Sequence, residues 1–448
     1  MTPVAEQTRA ASGLQRRIFV ATATVGILTV GAKAGVAIRE LLVAREFGAG
    51  HEVDAFLIAF ALPLFAINIV SGAIPSALVP VLVRRRTAKG REAAQDLVRH
   101  SLGLACLGVL GICAALAAVS PLVVRVLGSG LAARDVWLAV RFFVLLLPIV
   151  VLAAVSAVAA SVVNADERFA ATSTVQILNP VVTVGILLAF VGPLGIDSLV
   201  LASVAGYAVE TAGMLLLLRH NGWSIRPRLD RPFDDDTRQV LLQLAPMAGA
   251  TFLTGTNVLV DQSIASTAGV GGVAHLAYGS RIVSLLLQVV AFALATVLLP
   301  HFSRLLADRD WAGLGSTLRT QTVWIALLSA PMTVALVVAS RPIIELAFER
   351  GAFSAGDASV VAHVQALYAL QLLPHMVGIV WVRLLSALQA SRRIVQITVA
   401  NLVINVVTDL LFVRWLGVEG IALSTSLVYT CSTVLIGLAL RAELRRVR

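Results

Sequence analysis

A chain of 448 residues with 58% hydrophobic and only 13% charged residues is too apolar for a soluble domain, in which roughly 25% of residues are charged. The net charge of +10 does not indicate nucleic-acid binding, because most basic residues lie in short segments between apolar runs. Apolar runs of about 20 residues recur along the chain, which predicts an all-α polytopic membrane protein.

The order of the apolar runs predicts about twelve transmembrane helices. The predicted spans are 18–44, 54–83, 98–122, 136–164, 170–193, 196–218, 239–267, 272–302, 317–340, 358–389, 395–416 and 418–440. Half of them precede the polar stretch 219–238 and half follow it. We therefore expect two six-helix bundles, 1–218 and 239–448, joined by a cytoplasmic linker.

The two halves of the chain resemble each other in sequence. Pro80, Pro121, Pro148 and Arg168 correspond, at a nearly constant spacing, to Pro300, Pro342, Pro374 and Arg393. An even number of spans in each half gives both halves the same orientation, so the repeats are related by an axis along the membrane normal. In such transporters the substrate binds between the halves, and we expect the same here.

The basic residues predict the orientation in the membrane. The segments after the second and sixth predicted spans are rich in arginine, for example at Arg84, Arg86 and Arg226, whereas segments on the opposite side hold few. Cytoplasmic loops carry an excess of Lys and Arg, so we expect both termini to be cytoplasmic.

Enzyme motifs do not occur in the sequence. It contains no phosphate-cradling GxxxxGK[ST], no HExxH and no GxSxG pattern. The three cysteines form no CxxC pair, so neither a zinc site nor a disulfide framework is indicated. We predict a protein that is not an enzyme.

Three cations within predicted spans indicate an anionic ligand. Lys33 and Arg39 lie in the first span and Arg281 in the eighth. Charges inside a membrane are costly and usually mark a ligand or ion path, and the planar arginine fork suits phosphate. The alternative is that these cations pair with nearby acids. The candidate acids are Glu40, Asp54 and Asp261.

A second polar set lies in the last spans. Asp261 is in the seventh span, Asn405 and Asp409 share one helix face in the eleventh, and Thr425 is in the twelfth. Their ligand atoms are hard oxygens, which suit a hard cation such as sodium rather than zinc. The alternative is a set of hydrogen bonds that only packs the helices.

Residues 39–63 read R-E-x-x-x-A-R-x-F-G-A-G-x-x-x-D-A-F-x-x-A-F-x-L-P, which is similar to the first helix pair of the MurJ/MviN lipid II flippases. Weaker echoes occur at 276–281, 298–300 and 348–353. This family belongs to the MOP superfamily, together with the MATE drug exporters. The resemblance runs over most of the chain and implies a MATE-like fold.

The resemblance implies a flippase of the bacterial plasma membrane. It would move an undecaprenyl-diphosphate-linked saccharide, lipid II, from the inner to the outer leaflet by alternating access. The implied diphosphate ligands are Lys33, Arg39 and Arg281, with Glu40 and Asp54 as supporting charges. The implied sodium ligands are Asp261, Asn405, Asp409, Thr425 and a backbone carbonyl near Ile421. Expected partners are the lipid-linked oligosaccharide, membrane lipids and cell-wall or polysaccharide synthesis enzymes.

The sequence departs from the family pattern at three positions, so it is also compatible with other functions. The arginine and glutamate that the family carries in its second span fall here on Ile67 and Gly72, and the serine before the first cation is Ala32. A flippase for an exopolysaccharide or O-antigen repeat unit is one alternative. A cation-coupled multidrug exporter and a non-transporting cell-wall scaffold are the others.

Overall fold

The computed structural model describes Gly26, Leu28, residues 31–228 and residues 235–447. Nearly all of these residues are helical, and within these ranges no residue forms a β-strand. The predicted all-α class is therefore confirmed.

Within the described residues, the first half contains eight helices, and a π-helical turn, Leu104–Gly108, joins the second of them to the third. They are α1 (31–47), α2 (His51–Gly103), α3 (Val109–Ala118), α4 (Ser120–Leu127), α5 (Ala133–Leu146), α6 (Pro148–Ala165), α7 (Phe169–Leu194) and α8 (Asp197–His220). Those of the second half are α9 (Asp235–Ala265), α10 (Gly272–Ala307), α11 (Trp311–Val338), α12 (Ser340–Phe348), α13 (Ala355–Ala369), α14 (Leu372–Ala387), α15 (Ser391–Leu416) and α16 (Val418–Val447).

The helices agree with a polytopic membrane protein. Nine helical stretches of the described residues are long and apolar enough to cross a membrane. One of them, His51–Ala118, contains the second predicted span and all but the last four residues of the third. The seventh predicted span falls on α9, and of the first, 18–44, the structure describes Gly26, Leu28 and residues 31–44.

A single glycine bends the polar connection between the second and third predicted spans. Helix α2 continues through this connection, and Gly90 alone has non-helical angles there, with φ 82° and ψ 179°. L-residues with a side chain rarely adopt this positive φ, whereas glycine does so at little cost. The connection is therefore a bend between two helical segments rather than an extended loop.

Contacts between residues group the chain into two compact units. The first contains the described residues up to Val43, together with Leu62–Ser120 and Val140–Thr251. The second contains Ala44–Ala61, Pro121–Ala139 and Phe252–Arg448. The units therefore do not follow chain order, because two short segments of the first half pack with the second unit. The bundle boundaries predicted from span order stay a prediction.

Helix α6 forms the interior of the first unit. Pro148 starts it at a position where the missing N–H costs nothing, and small Ala, Ser and Val residues cover most of its buried surface. Small residues let neighbouring helices approach closely within a membrane. The helix ends at Ala165, and a short turn with Glu167 at φ 61° leads into α7.

Candidate substrate and cation sites

The segments that carry the family resemblance meet in the second unit. The backbone N–H of Ala352 donates to the carbonyl of Arg45 at 2.7 Å, and the Tyr278 hydroxyl donates to the carbonyl of Gly48 at 3.2 Å. Gly48 has φ 64°, and a Cβ atom there would lie 2.6 Å from the carbonyl oxygen of Ala352. Only glycine fits both the conformation and the space. These motifs are thus required for packing.

An aromatic cluster completes this contact. The ring of Tyr278 lies 5.4 Å from Phe348 and 5.7 Å from Phe353, the latter edge-on. Such tilted and edge-to-face pairs stabilise packing beyond the area they bury. Arg281 follows Tyr278 by three residues on α10 and is half-buried. The cluster therefore fixes the start of the helix that carries this cation.

Asp54 caps the same helix. Its carboxylate is buried and accepts hydrogen bonds from the backbone N–H groups of Gly271, at 2.6 Å, and Ala274, at 2.9 Å. A carboxylate at a helix N-terminus satisfies amides that have no partner within the helix and interacts favourably with the helix dipole. Asp54 therefore positions α10.

The remaining predicted cations lie on α1 in the first unit. Arg39 Nη2 is 3.6 Å from Glu40 Oε1, and their side chains are 24% and 10% exposed. One turn earlier, a Cβ atom at Gly35 would lie 2.7 Å from Pro180, so this glycine lets α1 approach α7 closely. Lys33 is exposed on the same helix. The arginine and its neighbouring acid are thus the more enclosed part of this set.

A half-buried acid of the first unit was not predicted from the sequence. Glu210 lies within α8 and accepts a hydrogen bond from Asn179 Nδ2 at 2.9 Å. Ser156 also bonds to its side chain, and the half-buried Tyr207 interacts electrostatically with both Glu210 and Arg39. A lone acid in an apolar run was the signal that could have identified it, because ionisable residues in spans usually mark functional sites.

Three of the predicted cation ligands, Asp261, Asn405 and Asp409, come together in the second unit. Asn405 Nδ2 donates to Asp261 Oδ1 at 3.0 Å, and the carboxyl group of Asp409 interacts with that of Asp261. Thr425 Oγ1 donates to the carbonyl oxygen of Ile421 at 3.0 Å. The structure therefore places two carboxyl groups and an amide from α9 and α15 in one buried cluster.

The unsatisfied oxygens of this cluster fit a hard cation. Asp409 is fully buried, and within the described residues neither its carboxylate oxygens nor Asn405 Oδ1 makes a hydrogen bond of standard geometry. Two neighbouring buried carboxylates repel each other unless a positive charge lies with them. No group of three or more His, Cys, Asp or Glu that could hold a metal occurs in the described part of the chain. Neutral oxygens would have to complete the coordination.

The family model and the most similar relatives point to the same protein family. The family described as lipid II flippase MurJ matches residues 43–446. A probable lipid II flippase MurJ of Rhizobium meliloti is 30% identical over 363 residues, covering 78% of this chain and 67% of the relative. The lipid II flippase MurJ of Burkholderia cenocepacia is 27% identical over 456 residues, covering 95% and 84%.

Solved structures agree on the fold. A lipid II flippase MurJ in an inward closed conformation superposes with a TM-score of 0.81 at 21% identity, covering 93% of this chain and 87% of that chain. An inward-facing multidrug resistance MATE transporter of the MOP superfamily gives 0.80 at 14% identity, covering 93% and 95%. At these identities the likeness concerns architecture, and it confirms the MATE-like fold expected from the sequence.

Proposed function

Because the chain belongs to the MurJ lipid II flippase family, we propose that it moves lipid II from the inner to the outer leaflet of a bacterial plasma membrane. The observation that carries this proposal is the family match over residues 43–446, which includes the motif contacts of α10. The substrate would be an undecaprenyl-diphosphate-linked saccharide. No bond of the substrate is made or broken, so the activity is transport rather than catalysis.

Lys33, Arg39 and Arg281 would bind the diphosphate. An arginine guanidinium carries five N–H donors and a fixed positive charge. Its planar fork makes two parallel hydrogen bonds to a phosphate, which a lysine cannot do. Arg39 and Arg281 are both half-buried, so their charges are poorly solvated and an anion stabilises them. The exposed Lys33 would add a point charge with weaker geometric demands.

The cluster of Asp261, Asn405 and Asp409 would hold a sodium ion, with Thr425 and the carbonyl of Ile421 as further ligands. The ion supplies a positive charge between carboxylates that otherwise repel. Oxygens are the ligands that hard cations prefer. Both carboxylates lie in the parts of α9 and α15 that belong to the second unit. Occupancy of the site would alter how these two helices pack, which would couple the ion to transport.

The orientation completes the proposal. Both termini would be cytoplasmic, because the arginine-rich segments after the second and sixth predicted spans then face the cytoplasm. The partners would be the lipid substrate, membrane lipids and the enzymes that make or consume the lipid-linked saccharide.

A second candidate substrate has its own support. Ile67 is buried, and Gly72 lies against Thr251, where the family resemblance places an arginine and a glutamate. Loss of two charges alters the polar surface that a saccharide would contact, whereas the three proposed diphosphate ligands are retained. A flippase for another undecaprenyl-diphosphate-linked repeat unit would keep this part of the chemistry.

The test is a leaflet assay in proteoliposomes with lipid II and with a second undecaprenyl-diphosphate-linked saccharide. Arg39→Ala and Arg281→Ala should each abolish flipping, and Arg→Lys should recover little of it, because the charge returns without the fork. Lys33→Ala should cost less. Arg341→Ala is the matched control, since this exposed arginine pairs with Glu345 on α12.

The outcomes separate the proposals. Transport of lipid II alone, lost in the two arginine variants and kept in the control, supports lipid II flipping. Transport of only the second saccharide supports the alternative substrate. Near-normal transport by the double variant Arg39→Ala/Arg281→Ala would exclude these residues as diphosphate ligands.

A further inference from the structure

A polar cavity in the first unit contains none of the proposed diphosphate or sodium ligands. It has a volume of about 490 Å³ and lies where α6 ends, α7 begins and α8 ends. Its wall includes Arg91 from α2, Arg168 from the α6–α7 turn, and Asn221 and Trp223 after α8. We infer that this cavity binds a phosphate group through Arg91 and Arg168.

Two guanidinium groups converge on one neutral residue. Arg91 Nη2 donates to the backbone carbonyl of Asn221 at 2.6 Å, and Arg168 Nη1 donates to Asn221 Oδ1. Neither arginine forms an ion pair with a carboxylate of the described residues. Two cations held against the same neutral residue repel each other, and a phosphate between them removes that repulsion.

The internal repeat provides a comparison. Arg168 corresponds to Arg393 of the second half. Arg168 directly precedes α7 and Arg393 lies in the first turn of α15, and each side chain reaches the end of the last helix of its half. Arg393 Nε lies 3.2 Å from Glu443 Oε1, so its charge is neutralised within the protein. In the first half, the corresponding Arg168 instead donates to the neutral side-chain amide of Asn221. In the second unit a carboxylate of the protein itself neutralises Arg393. In the first unit the corresponding position has no carboxylate within the described residues and can accept an anionic ligand.

The wall of the cavity is preorganised. Trp223 is only 3% exposed, and its indole N–H donates to Asp166 Oδ2 at 2.9 Å, while Arg86 bonds to the other oxygen of the same carboxylate. The guanidinium carbon of Arg91 lies 5.2 Å from the centre of the Trp223 ring, within range of a cation–π contact. Arg91 is therefore held in place before any ligand arrives, which lowers the entropic cost of binding.

The charges of the cavity favour an anion. Three arginines line it against two acids, Asp166 and Glu167, and Asp166 is already bonded to Arg86 and Trp223. The Nδ2 group of Asn221 is buried and has no hydrogen-bond partner in the described residues. It adds a donor beside the two arginines. Tetrahedral phosphate oxygens match several converging donors.

The position of the cavity suggests where the phosphate comes from. It lies at the ends of two helices long and apolar enough to span a membrane, Ala133–Ala165 and Phe169–Leu194, on the side predicted to be cytoplasmic. This is the depth of lipid headgroups, and basic pockets between helices on that side bind anionic headgroups. A soluble phosphate compound presents the same chemistry, so the experiment separates the two sources.

The experiment measures thermal stability of the full chain in neutral detergent. The protein is titrated with short-chain phosphatidylglycerol, with short-chain phosphatidylcholine, and with inorganic phosphate against chloride at equal ionic strength. A ligand that binds only the folded state raises the melting temperature by mass action. We expect phosphatidylglycerol, inorganic phosphate or both to stabilise the wild type more than phosphatidylcholine and chloride do.

Three variants test the residues. Arg168→Gln should raise the half-saturating concentration about tenfold or more, because it removes one charge-assisted contact. Asn221→Asp should abolish the response without lowering the melting temperature of the ligand-free protein, since a carboxylate then neutralises the arginines as Glu443 does in the other half. Arg393→Gln, the matched control, should leave the response unchanged.

The outcomes decide the proposal and the source. A response to phosphatidylglycerol alone that depends on Arg168 assigns the site to a lipid headgroup, and a response to inorganic phosphate with the same dependence assigns it to a soluble ligand. The proposal is wrong if neither ligand stabilises the wild type above its control. It is also wrong if Arg168→Gln and Arg393→Gln respond alike, or if Asn221→Asp binds as the wild type does.

Discussion

Sodium should stabilise the second unit, and Asp409→Asn should remove that effect. The structure leaves three buried oxygens without standard hydrogen bonds, two on Asp409 and one on Asn405. An unsatisfied buried polar atom costs about 1–3 kcal/mol, so a cation that satisfies all three can recover at most about 3–9 kcal/mol before its own desolvation is subtracted. Even a weak site therefore has enough interaction energy to be measurable.

The size of the response follows from mass action. At a sodium concentration of about 100 times Kd, an ion bound only to the folded protein adds about 2.7 kcal/mol to the free energy of unfolding. For a unit of roughly 150–250 residues this raises Tm by about 5–10 °C. The assay is thermal unfolding of the purified protein in sodium, potassium and choline chloride at equal ionic strength.

The Asp409→Asn substitution should also affect the melting temperature in the absence of sodium. Asp409→Asn removes the repulsion with Asp261 and offers an amide donor to that carboxylate. Its Tm without sodium should therefore equal or exceed that of the wild type, while the sodium response disappears. Asp197→Asn is the control, because Asp197 forms a partly exposed ion pair with Arg141 and should keep the full response. Equal stabilisation of the wild type by sodium and potassium, or an unchanged response in Asp409→Asn, would refute the reasoning.

Two further predictions concern topology and the cap of α10. Reporter fusions after Arg86 and Arg448 should report the cytoplasm and a fusion after Gly356 the outside; one well-expressed fusion with the opposite location contradicts the orientation. Asp54→Ala should lower the free energy of unfolding by about 2 kcal/mol, because two backbone amides of α10 lose their acceptor. Glu52→Ala, which changes an acid in the same helical turn, should cost less than half as much by denaturant or thermal unfolding, and equal losses would argue against the cap.

The sequence alone determined the class of the protein and its family. A membrane excludes unsatisfied backbone groups, so long apolar runs can only be helices, and this one constraint predicts most of the helices that the structure contains. Residues 39–63 carried the family resemblance because glycines at tight contacts, such as Gly48, tolerate almost no substitution. These features are local in sequence, and local patterns can be interpreted without a structure.

The roles of individual polar residues depended on the tertiary structure. Asp54 suggested a charge near the substrate, but the groups that donate to its carboxylate are backbone amides 217 and 220 residues away in sequence. The environment of Glu210 likewise depends on Asn179, which lies on another helix and donates to its carboxylate. A sequence shows which residues carry charge, whereas the energy of a buried charge depends on the groups that the fold brings to it.

For the cation cluster and the proposed phosphate cavity, too, the sequence spacing predicts local neighbours and only the fold shows the distant ones. The four-residue spacing placed Asn405 and Asp409 on one helix face, but only the fold brings Asp261, 144 residues before Asn405, within hydrogen-bond distance. Arg168 and Asn221 are 53 residues apart in sequence. Only the fold shows that Arg168 contacts an amide where Arg393 contacts the carboxylate of Glu443. Helical periodicity sets which side chains share a face, while the packing of helices distant in sequence decides which faces meet.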